Sequence, residues 1–95
     1  MFLHVTHVDY LEGYRLRLTF NDGAVKEVDL KNELYGQVFE PSRDIALFRK
    51  VVINLDTGTI EWPNGADFAH ELLYEIGEER GRVERAREPL ALELA

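Results

Sequence analysis

Asp67, His70 and Glu71 stand at positions i, i+3 and i+4 of a 95-residue chain. On a helix that spacing gathers three side chains on one face. Two carboxylates and an imidazole so placed could hold a divalent metal or divide the acid and base work of a hydrolase. The plainer reading makes Asp67 a helix cap, accepting hydrogen bonds from free backbone amides, with His70 and Glu71 as solvated first-turn positions. Acidic residues occur so often in helical first turns that the plainer reading is favoured. On it, the catalytic, cofactor-binding and metal-ligating sets are all empty.

The other reactive side chains are scattered. His4 and His7 in "HVTH" lie three apart, and on a strand that spacing sends them to opposite faces, where they cannot chelate one ion. Ser42 is the single serine, beside Pro41 in a loop, with no histidine near it in sequence to serve as a base. The glycines at 13, 23, 36, 58 and 65 are isolated turn residues, and none belongs to a phosphate-cradling pattern. Arg15, Arg17, Lys26 and Lys31 could form a basic strip on a sheet, but Glu27 and Asp29 interrupt it. The formal net charge of −7 opposes nucleic-acid binding by this chain alone and contact with an anionic membrane.

Strands and turns have to position these residues. In "YRLRLTF" the apolar Tyr14, Leu16, Leu18 and Phe20 alternate with Arg15, Arg17 and Thr19, the period of a half-buried strand. "NDG" at 21 to 23 turns the chain back through "AVKEVDL", and "LHVTHVDY" supplies an alternating run in front. Residues 3 to 30 therefore read as a three-stranded meander, and between Val25 and Val28, where alternation falters, either a bulge or a late start of the return strand is expected. Asp44 can cap a short helix over Ile45 to Phe48. "VVINL" and "TIEW" flank "DTG" at 56 to 58 and predict a second hairpin. Leu72, Leu73 and Ile76, with Ala69 before them, make a helical stripe that stops at Gly77.

Between the second hairpin and that helix lies "WPNGAD". Pro63 sets its own φ for a turn, and Asn64 and Gly65 suit the next positions, with a positive φ at the glycine. Trp62 is then the last paired residue of its strand, its indole packed on the core and its N–H in need of an acceptor. Trp62, Pro63, Asn64, Gly65 and Asp67 thus read as a structural motif.

With "YRLRLTFNDG", "VDL", the phenylalanine of "DIALF", and "GTIEWPNGADF" followed by "LLYE" in view, the chain resembles the DUF2442 family of small bacterial proteins of unknown function over most of residues 5 to 77. It departs from the family pattern at His70, where relatives often carry proline. The resemblance implies an α+β domain with a mainly antiparallel sheet. It also implies that similar domains precede a helix-turn-helix segment in some relatives and are encoded beside a second small gene, toxin–antitoxin fashion, in others.

The expected architecture is one α+β domain over residues 1–77, a meander plus a hairpin covered by one or two short helices. Residues 78–95 are expected to be a charged, helical or disordered tail. Glu78 with Arg82 and Arg80 with Glu84 can pair along a helix, and Leu90, Leu92 and Leu94 after Pro89 offer an apolar docking edge. With no cysteine, no signal peptide and no stretch of about 20 apolar residues, a cytoplasmic location is expected. The composition and motifs suit a non-enzymatic interaction or accessory module, antitoxin-like, whose partner is another small protein or a second copy bound through the tail. The alternatives are a hydrolase or metal-dependent enzyme centred on Asp67, His70 and Glu71, and a sensing domain related to transcription regulators.

Overall fold

A computed structural model describes residues 2–82. Strands β1 (Val5–Glu12), β2 (Arg15–Phe20) and β3 (Ala24–Asp29) form the expected antiparallel meander. The "NDG" turn closes as its residue types require: Gly23 has φ 92°, and its N–H donates to the Phe20 carbonyl at 2.9 Å. Leu16, Leu18, Phe20, Ala24 and Val28 all point to one face and are buried.

The β2–β3 ladder runs without a register shift from Arg15↔Asp29 to Thr19↔Val25, and the irregularity expected between Val25 and Val28 lies on the other side of β3, as a register shift between Val25 and Lys26 in its pairing with residues 78–82. Alternation falters because Val25 lies on the outer face and Lys26 takes an inner position. Lys26 Nζ donates to the Tyr74 carbonyl at 2.6 Å and sits 3.8 Å from the centre of the Tyr74 ring. A cation can occupy this half-buried site because a helix C-terminal carbonyl and an aromatic face replace its water.

The sheet has a fourth member. Glu78–Arg82 is strand β6, antiparallel to β3, giving the order β1-β2-β3-β6. The helical start expected for the tail is thus corrected, and the sheet continues past residue 77. The free edge of β3 offers unpaired backbone groups that a short charged segment can satisfy, and Gly81 within it removes helix propensity. Leu90, Leu92 and Leu94 lie outside the described residues.

β4 (Val52–Asn54) and β5 (Thr59–Glu61) form the second hairpin as a separate two-stranded sheet. Its turn is closed by Gly58 N–H to the Asn54 carbonyl at 2.8 Å, and the Gly58 carbonyl in turn accepts from Val5 N–H at 2.8 Å, tying the hairpin to β1. Short 3-10 turns at Lys31–Glu33 and Glu40–Arg43 lead into α1 (Ile45–Phe48). Asp44 caps α1 as expected, accepting from Ala46 N–H at 2.9 Å.

Helix α2 (His70–Ile76) covers the inner face of the larger sheet. Leu73 is fully buried and Leu72 partly so, while Ile76 stays exposed and Tyr74 packs edge-on against Phe20 at 4.9 Å. The stripe is therefore rotated from the expected one. Gly77 ends the helix at an ordinary φ of −72°. Its lack of a side chain matters for space, since a Cβ there would meet the Leu73 carbonyl oxygen and Lys26 Cβ at 2.9 Å. No described helix is long and apolar enough to cross a membrane.

Candidate functional site

The "WPNG" corner is built around one indole. Trp62 is 1% exposed and is surrounded by Phe39, Phe48 and Phe68 at centroid distances of 6.2, 5.6 and 5.8 Å. Its Nε1–H donates to the Phe48 carbonyl at 2.8 Å. The indole thus finds the acceptor that a buried N–H requires, and in doing so ties the corner to the end of α1.

The turn closes as expected in type and differs in detail. Gly65 has φ 90°, and its N–H donates to the Trp62 carbonyl at 2.8 Å. Asn64 works with both ends of its amide: Oδ1 accepts from Ala66 N–H at 3.1 Å and Nδ2 donates to the Val38 carbonyl at 2.9 Å. The β4–β5 ladder ends at Glu61, one residue before the expected Trp62. Trp62 N–H instead donates to the Ala66 carbonyl at 2.8 Å, and Glu61 bridges to Asp67. The corner is a miniature hairpin whose returning arm is Ala66 and Asp67. Phe68, next along, accepts from the buried Thr59 hydroxyl at 2.6 Å.

That geometry decides the fate of Asp67, His70 and Glu71. Asp67 sits in the returning arm, exposed, and α2 begins only at His70 after an extended Ala69. The helix has no side-chain cap. The capping role expected for Asp67 is therefore corrected: its backbone is committed to the bridge with Glu61 three residues before the helix starts. The common helical face fails for the same reason. His70 and Glu71 do approach, Nε2 to Oε2 at 3.3 Å. Among the described residues no group of three or more His, Asp or Glu is arranged to hold a metal ion.

His4 lies before β1, and a register shift between Val5 and His7 interrupts the strict alternation assumed for them; the two rings take different partners. His4 Nδ1 lies 3.0 Å from the Phe2 carbonyl, and His7 Nε2 lies 3.1 Å from Asp9 Oδ1. On the outer sheet face Glu27, only 15% exposed, is ringed by Arg15 at 2.7 Å, Arg17 at 3.6 Å and Arg80 at 3.4 Å. Glu27 thus interrupts the basic strip as its place in the sequence suggests, and Lys26 leaves it altogether for the inner face.

Two of the pockets among the described residues bring together reactive side chains that sequence spacing does not connect. The first is a pocket of about 480 Å³ beside the β4–β5 turn, flanked by Phe2 and Leu55 and lined also by His4, Asp56, His70 and Glu71. The second, about 200 Å³, lies where the corner meets α1 and is lined by Ser42 and Lys50 among apolar side chains. The first carries no sequence motif, and the second borrows Trp62, Pro63 and Asn64 from the structural motif of the corner. Ser42, the lone serine beside Pro41, is a further signal at the second.

A family model described as a protein of unknown function, DUF2442, matches residues 5–79. No curated protein matches, and no solved structure matches.

Proposed function

The chain belongs to the DUF2442 family of proteins of unknown function, and on that premise we propose that it is a small non-enzymatic interaction module, an antitoxin-like accessory partner of another small protein in the cytoplasm. The observation that supports this reading is the pair Phe2 and Leu55. Each is 90% exposed, and both flank the same pocket. Single exposed apolar residues are ordinary, whereas large ones set together around a depression are how a surface that receives a partner is built. Leu90, Leu92 and Leu94 are a second proposed docking edge, for a partner or for a second copy.

Copurification of the full chain with the product of an adjacent small gene tests the reading. A stoichiometric complex is expected, weakened at least tenfold by Phe2→Ser with Leu55→Ser, as loss of a hot-spot pair does. Sedimentation of the full chain with Leu90, Leu92 and Leu94 replaced by serine separates self-association from partner capture. A chain that sediments as a monomer and retains no stoichiometric partner would refute the module.

A further inference from the structure

The pocket between the corner and α1 has the walls and the polar groups of a small-molecule site. Its volume is about 200 Å³, and Pro41, Leu47, Trp62 and Pro63 form its apolar lining. Three polar residues join them, and they are not equivalent. The Asn64 side-chain amide is already engaged at both ends. Ser42 is 2% exposed, its backbone N–H donates to the Phe39 carbonyl, and its hydroxyl has no hydrogen-bond partner among the described residues. Lys50 is exposed and has no ion pair among the described residues.

A buried hydroxyl without a partner is costly, and such groups in folded proteins are normally answered by a bound water or a ligand. Ser42 is buried and Lys50 exposed, so the two polar groups stand at different depths of the pocket. The apolar space they share is of the size that accepts a single aromatic ring, since cavities of roughly 150 Å³ lined by apolar side chains bind benzene. An exposed ammonium selects an anion in a protein whose net charge of −7 otherwise repels one.

We propose that this pocket binds a small aromatic carboxylate carrying a second polar group at the far end of its ring. The carboxylate pairs with Lys50, the ring fills the space against Pro41, Pro63 and Trp62, and the distal group exchanges a hydrogen bond with Ser42 Oγ. This site goes beyond the partner-binding reading and lies on different residues, so either can fail alone.

The probe is 4-hydroxybenzoate, titrated into the full chain and followed by calorimetry and by the emission of Trp62, the sole tryptophan. Saturable one-to-one binding is expected, with benzoate weaker by about tenfold, the scale of one lost hydrogen bond to a buried group, and phenol weaker by about threefold, the scale of one ion pair at an exposed lysine. Ser42→Ala should fold at least as well as the parent and abolish the preference for 4-hydroxybenzoate over benzoate. Lys50→Gln, a surface change, should weaken both acids and leave phenol unaffected. Absence of saturable binding, or an affinity for 4-hydroxybenzoate unchanged by Ser42→Ala, would overturn the proposal and leave Ser42 facing water.

Discussion

Gly58 in the β4–β5 turn and Gly65 in the tryptophan corner close turns that look alike in the sequence. Both hold a positive φ, 74° and 90°, and both donate a backbone N–H across the turn at 2.8 Å. Their surroundings differ. A Cβ on Gly65 would meet nothing within 4 Å, whereas one on Gly58 would lie 2.6 Å from His4 Cβ. The corner is held from within, by an indole wedged among phenylalanines and hydrogen-bonded to α1. The hairpin turn is held from without, pressed against the segment that enters β1 and bonded to Val5. Equal local chemistry therefore gives unequal sensitivity: the corner should be fragile at its tryptophan, and the hairpin turn at its glycine.

The largest effect should follow Trp62→Ala. Truncating a buried large aromatic costs about 3–5 kcal/mol through lost transfer energy and the cavity left behind, so denaturant unfolding followed by far-ultraviolet circular dichroism should show a strongly lowered midpoint. A loss similar to that of an exposed residue would mean the indole does not anchor the corner.

Gly58→Ala comes next, at about 2–4 kcal/mol. The left-handed backbone contributes roughly 1–2 kcal/mol and the contact with His4 about 1–3 kcal/mol. A double-mutant cycle with His4→Gly isolates the second part, because removing the His4 Cβ should recover about 1 kcal/mol or more in the Gly58→Ala background. Strict additivity in that cycle would break the comparison at its centre.

Gly65→Ala should cost only the backbone term, about 1–2 kcal/mol, and respond to no second-site change nearby. If thermal unfolding ranks it equal to Gly58→Ala, the open space around the corner is misjudged. The smallest effect is reserved for Asp67→Ala. Exposed and remote from the helix cap, it should shift stability by no more than about 0.5 kcal/mol. A drop of about 1 kcal/mol, the size of a lost N-cap, would restore the capping role.

The local elements were legible in the residues themselves. Alternation in "YRLRLTF", glycine after "ND", Asp44 before "IALF" and proline after Trp62 each act over a few residues, through backbone sterics and side-chain period, and each produced the structure it should. The positive φ of Gly65 and the buried, hydrogen-bonded indole follow from the same short-range rules. Where the reading failed, the deciding force came from a distant part of the chain. β6 exists because the edge of β3 has unpaired backbone groups to offer, so residues 78–82 extend along the sheet. Asp67 loses the cap because pairing with Glu61 claims its backbone first. Lys26 turns inward because a carbonyl and a ring on α2 wait there. Ser42 and Lys50 share a pocket only because Trp62 and Pro63 are folded back against α1, a juxtaposition that no spacing along the chain encodes. Propensity and periodicity are properties of neighbours in sequence; pairing partners, clashes and pockets are properties of neighbours in space, and only the assembled sheet, helix and corner bring those together.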